Sequence, residues 1–244
     1  RIERLSQKER EGYLTNELFW AVYKSDLKET KRLVYQDSQL MQGRDKDGNT
    51  PLAKAIELQE VEIAHVLLDQ LSNNHLTQKN KRGEGYVFLA AKNGLPDLIQ
   101  KISNRVSKEA ESKRLGWYRF LDYDFKTKSG LRAVHVAATA EVIETLSNAH
   151  APGRRDSSFV VNRRAPRGGF PYHVDDSGRM FSHYAAADNR VDVLMWATEK
   201  YCSTDYGEVE GPVGVVGRLL SSGGRWIKQA LQFLPSGLGL RLHH

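Results

Sequence analysis

One cysteine, Cys202, and eight histidines are the side chains in this 244-residue chain best suited to nucleophilic or metal chemistry. A thiolate paired with a histidine is a sound nucleophile. Cys202, however, sits in YCSTDYGEVEGP without a motif around it and reads as structural. His65, His75, His150 and His173 keep no metal-ligand spacing with one another. GRLLSSGG, residues 217 to 224, has glycines but lacks the lysine and the preceding strand of a phosphate loop. No reaction can be written from these residues. The expectation is a protein that is not an enzyme, with no cofactor and no metal.

Recognition chemistry is better represented. RRDSSFVVNRRAPR, residues 154 to 167, sets five arginines against one aspartate. It is either a solvated loop or an anion-binding tip, since arginine pairs bidentately with carboxylate and phosphate. RLGWYRFLDYDF, residues 114 to 125, packs Trp117, Tyr118, Phe120 and Tyr123 into a dozen positions. Those rings either fold back onto the body or anchor a partner, because Trp, Tyr and Arg dominate binding hot spots. Nucleic acid is the weaker alternative for the basic residues, because no base-reading motif accompanies them.

These residues must be carried by a folded scaffold. An apolar fraction of 40% with 27% charged residues belongs to a folded protein rather than a disordered one, and the length allows one large domain or two small ones. A single cysteine excludes an intramolecular disulfide framework and suits a reducing compartment. No apolar run is long enough to span a bilayer, and RIERLSQKEREGY is no signal peptide. Opening on Arg1 rather than Met leaves a fragment reading available. A net charge of +6 favours acidic partners or surfaces without choosing among them.

Self-similarity organises the chain. DGNTPLAKAI, with Gly48, is echoed by RGEGYVFLAAKNG from Gly83, by GLRAVHVAATAEVIETL at Gly130 and by GRMFSHYAAADNRVDVL at Gly178. Each glycine supplies the positive φ of a tight turn. Thr50-Pro51 starts a helix with a cap and a proline where no hydrogen bond is lost. Paired small residues such as Ala90-Ala91, Ala137-Ala138 and Ala185-Ala186 let neighbouring helices approach closely. NELFWAVYKSDLKETKRLV, residues 16 to 34, keeps a two-helix pattern without the turn.

These features resemble the ankyrin repeat. The resemblance covers residues 15 to 201 and implies an all-α, ankyrin-type helical solenoid of about four to five irregular repeats. An N-terminal cap spans 1–44, and repeats fall near 45–79, 80–112, 127–150 and 175–201. The anchoring glycines stand 35, 47 and 48 residues apart, against a family period of about 33. The extra length sits in two inserts, near 105–126 and 148–174. The unit at 130 lacks a glycine turn between its helices, so its second helix is fused or skewed. His135 and His183 stand at a position that bonds to backbone in the family. A linker follows at 202–211. An amphipathic helical region at 212–244 either caps the solenoid or lies on a membrane surface through 212–234.

For function, the resemblance implies an adaptor that binds another protein through turn tips and the exposed ends of inner helices. Those positions are Lys46, Asp47, Asn49, Glu57 and Leu58 in the first unit, and Lys81, Arg82, Glu84, Lys92 and Asn93 in the second. Lys128, Leu131 and Arg132 follow in the third, with Asp176, Ser177 and Arg179 in the fourth. Lys81, Arg82, Lys92, Lys128 and Arg132 would form one basic surface for an acidic protein partner, with Trp117 and Tyr118 as a further contact. Worn repeats with long inserts are similar to those of effectors of intracellular bacteria, which would place a monomeric protein in a host cytoplasm. The other reading is the recognition region of a larger enzyme or toxin.

Overall fold

The structure, a computed structural model, describes residues 6–112, 126–150 and 175–202. The described residues are all-α, with ten α-helices and no strand. A first compact unit spans Arg1–Phe181 and a second spans Ser182–His244. The aromatic insert with Trp117 and Tyr118, the arginine-rich 154–167, the linker beyond Cys202 and the region 212–244 lie outside the described residues.

In the first unit the helices come in pairs: α1 (Gln7–Tyr23) with α2 (Leu27–Gln36), α3 (Pro51–Glu57) with α4 (Val61–Gln70), and α5 (Tyr86–Lys92) with α6 (Pro96–Ser112). α7 (Ala133–Val136) and α8 (Ala140–His150) follow. Odd-numbered helices pack on odd and even on even: α1 on α3, α3 on α5 and α5 on α7, beside α2 on α4, α4 on α6 and α6 on α8. Two rows of helices therefore share one core. It is built from Leu18, Leu33, Leu52, Ile56, Leu67, Leu68, Leu89, Leu98, Ile99, Ile143 and Leu146, all fully buried. Each such side chain contributes about 1.5–3 kcal/mol by leaving water. No single pair could bury both of its faces, so the stacking is what makes each helix stable.

Local chemistry sets the helix boundaries. Ser6 and Glu9 cap α1 reciprocally, Asp26 accepts from Glu29 at the start of α2, and Thr50 Oγ1 accepts from the Ala53 amide ahead of Pro51. The first three pairs turn through the same C-terminal motif. Ser25, Gln59 and Gly94 adopt left-handed backbone. The next amide in each case returns to a carbonyl five residues back: Asp26 to Ala21, Glu60 to Ala55 and Leu95 to Ala90.

The unit at 130 departs from this pattern, as its missing glycine suggests. α7 stops after one turn because Ala137 leaves helical backbone, and the Ala138 amide donates to the Ala91 carbonyl of α5. Thr139 Oγ1 then accepts from the Val142 amide and starts α8 anew. The second helix is neither fused nor lost: Val142, Ile143 and Leu146 are fully buried. The insert expected from about 105 opens as helix, since α6 runs on to Ser112. Arg105 secures that extension by donating to the carbonyls of Leu68 and Leu71 and to Asn73 Oδ1, while Val106 is buried beside it.

In the second unit, α10 (Val191–Cys202) follows the α9 helix (Phe181–Ala187) that crosses into it. Asn189 is left-handed and the Arg190 amide returns to Ala185. Ala185 and Val193 are fully buried.

Candidate interaction surface

Four tight turns precede α3, α5, α7 and α9, and one pattern of bonds closes all of them. Asp45, Asn80, Thr127 and Asp175 each accept at the carbonyl from the turn glycine three residues on and donate from the amide to the carbonyl four residues on. Their side chains accept from the amides inside the turn. Asp45 Oδ1 takes those of Asp47 and Asn49, Asn80 Oδ1 those of Arg82 and Glu84, and Asp175 Oδ1 those of Ser177 and Arg179. Thr127 Oγ1 takes only Leu131. Gly48, Gly83, Gly130 and Gly178 have φ between 76° and 79°. At Gly83 an added Cβ would also press on the Lys128 amide at 3.2 Å.

Successive tips are tied together. The Lys81 amide donates to the Asp47 carbonyl at 3.0 Å and the Lys128 amide to the Arg82 carbonyl at 2.9 Å. Lys126 and Asp176 form an ion pair between the third and fourth turns. Beneath the tips, Asn80 Nδ2 donates to Asn49 Oδ1 and to Glu84 Oε2. Thr50 and the buried Tyr86 hydroxyl lie 2.9 Å apart. Burial pushes the Tyr86 pKa up to about 12, against a smaller opposing effect of the Thr50 bond.

This geometry redistributes the expected basic surface. Lys81 and Lys128 are exposed on adjacent tips, with the Lys81 ammonium on the Lys46 carbonyl at 2.6 Å, and Lys92 is exposed in the last turn of α5. Arg82 is different in kind. Its guanidinium bonds Glu84 at 2.8 Å and Glu57 at 2.9 Å, and Glu57 also holds Lys54 at 2.9 Å. Partial burial works against the Arg82 charge, but Glu84, Glu57 and Asp47 outweigh it and raise its pKa. Arg82 is thus exposed, with its charge already paired to Glu57 and Glu84. Arg132 is half-buried, and its amide donates to His135 Nδ1 at 2.9 Å. Asn49 and Glu84, expected among exposed contact residues, are buried because the turns use their side chains as internal partners. Lys46, Asp47, Leu58, Asp176, Ser177 and Arg179 are exposed as expected, whereas Glu57, Asn93 and Leu131 are half-buried.

No family model matches the chain, and no curated protein matches it significantly.

Four histidines have described side chains, whereas His173 lies outside the described residues. His135 is fully buried on backbone, and His183 is exposed. His75 Nδ1 meets Ser72 Oγ at 2.8 Å, and His65 Nδ1 lies 3.5 Å from the Lys101 ammonium, which pairs with Asp69. Among the described residues no three His, Cys, Asp or Glu gather as metal ligands, and no helix is long and apolar enough to cross a membrane. Trp20 and Tyr23 of α1, absent from the expected contact residues, are 60% and 51% exposed, and Leu58 is 39% exposed. Their signal was available, since Trp20 falls out of step with the buried positions Leu18, Phe19, Ala21 and Val22.

Proposed function

We propose that this chain is a non-enzymatic protein-interaction module, built as an ankyrin-type helical solenoid of irregular repeats, whose partner presents an acidic surface. The observation that carries the reading is the tie between successive turn tips, which sets Lys46, Lys81 and Lys128 on neighbouring loops of a rigid frame. Rigid, pre-ordered loops lose little entropy on binding, and cations in series favour encounter with a negative partner. The basic contact is assigned to Lys81, Lys92 and Lys128, joined by Arg82, which is exposed but paired with Glu57 and Glu84, and by half-buried Arg132.

The test begins with capture on the full chain and mass spectrometry, followed by affinity measurements at several salt concentrations. Charge reversal at Lys81, Lys92 and Lys128 together is expected to weaken the captured partner by about tenfold or more and to flatten its salt dependence. A partner that binds this triple variant with unchanged affinity and salt slope would remove the basic surface from its role. Arg82→Glu is a poor substitute, because it would place a carboxylate against Glu57 and Glu84 and destabilise the turn.

A further inference from the structure

The face shared by α1 and α3 is unlike the rest of the described surface. Trp20 and Tyr23 stand with ring centroids 6.2 Å apart and tilted by 56°. The Lys24 ammonium lies 5.9 Å from the Trp20 ring centre, and the Lys54 ammonium 5.3 Å from that of Tyr23. Leu58, at the end of α3, is exposed as well. Large rings usually bury most of their surface, and leaving two half-exposed side by side costs burial that the core would otherwise gain.

The cations at this face are not alike. Lys54 is committed within the protein, bonded to Glu57 at 2.9 Å, while Glu57 is itself taken up by Arg82 at 2.9 Å. Lys24 is exposed and, among the described residues, lies against the Trp20 ring. The acidic group at the base of the face is thus already neutralised, and the cation at its rim is available. An incoming carboxylate would meet Lys24 without competing against a resident ion pair, while an apolar side chain beside it would cover Trp20 and Tyr23.

We propose that Trp20, Tyr23, Lys24 and Leu58 form a second docking site, made of other residues than Lys81, Lys92 and Lys128, for a peptide segment that carries an aromatic or branched apolar residue next to a carboxylate. The inference rests on the reading of the chain as a protein-interaction module. It differs in occupant and in the residues that carry it: an apolar anchor with one charge, rather than an extended acidic surface. Tyr and Trp suit such a role because they offer large contact area for little conformational entropy. The ring pair is held in place from below by Lys54, so the platform needs no rearrangement to receive its guest.

A displayed library of short random peptides, selected on the full chain, tests this. Enriched sequences are expected to combine an aromatic or branched apolar residue with a nearby Asp or Glu. Resynthesised peptides should lose about tenfold or more in affinity with Trp20→Ala and with Lys24→Glu, keep it with Lys81→Glu/Lys128→Glu, and shift the Trp20 indole N–H resonance. Trp20 is mostly exposed, so Trp20→Ala should leave the helical circular dichroism intact. Selected peptides that bind Trp20→Ala as well as the parent overturn the proposal, as does an absence of any enriched acidic-apolar class. If peptide affinity responds to Lys81 and Lys128 but not to Trp20, this site falls while the interaction-module reading stands. Two further results would also overturn it: Trp20→Ala changing the sedimentation of the protein alone, which would make the face a contact between copies, or binding confined to phosphatidylserine vesicles.

Discussion

Four glycines show how much a single residue can decide in this chain. All four turn glycines share left-handed backbone, but their surroundings differ. A Cβ at Gly48 would lie 3.0 Å from the Lys81 amide and one at Gly83 3.2 Å from the Lys128 amide, whereas at Gly178 it would meet nothing within 4 Å. Alanine at any of them is penalised by roughly 1–2 kcal/mol for its conformation. Gly178→Ala should show little more than that. Gly48→Ala and Gly83→Ala should each cost about 1 kcal/mol beyond it, because backbone rather than a movable side chain is in the way. Urea denaturation of the three variants measures the order, and a Gly178→Ala as damaging as Gly83→Ala would show that contact between tips adds nothing. Arg82 carries the complementary lesson. Its residue type announced a surface charge, and its side chain is exposed, but only the fold brings Glu57 within pairing distance of it.

Among the elements, the pair α3–α4 occupies the middle of the best-formed stretch, with α1 and α5 on either side of α3 and α2 and α6 on either side of α4. Leu52 and Leu67 are both fully buried there. Their replacement by alanine should therefore cost about 2–5 kcal/mol each. Chemical denaturation checks it, and losses below about 1 kcal/mol at both sites would mean these positions do not face the core. The paired helices before residue 105 were legible because caps, proline and apolar spacing are local instructions. Thr50-Pro51 and the spacing of Ile63, Ala64, Leu67 and Leu68 need no neighbours to be read. The length of α6 and the brevity of α7 were not legible. α6 persists because Arg105 reaches carbonyls of Leu68 and Leu71, more than thirty residues away, and α7 ends where Ala138 bonds Ala91 of α5.

At the scale of the first compact unit, stability passes from pair to pair through two kinds of contact, helix rows below and turn amides above. In such an arrangement a weakened pair loosens the next one, with the effect fading along the row. Leu67→Ala should accordingly speed hydrogen exchange at the Lys81 amide, which bonds Asp47, and to a smaller degree at the Lys128 amide, which bonds Arg82. Exchange at Lys128 unchanged while Lys81 accelerates would mean that the pairs open independently, and the coupling through the tips would have to be abandoned.

The chain by itself determined the helical class, the positions of the four glycine turns and the start of α3. These depend on φ preferences, capping groups and apolar period, all of which act within a few residues. The tertiary structure decided which polar side chains belong to the surface and which to the interior. Asn49 looks like a contact residue in sequence, yet the neighbouring turn supplies Asn80 as a partner and buries it. Trp20 falls out of step with the buried positions of α1, but only the structure shows how open it stays, at 60% exposed. The difference has one physical cause: exposure and charge pairing are properties of distances between segments far apart in the chain, and those distances exist only once the rows of helices are stacked.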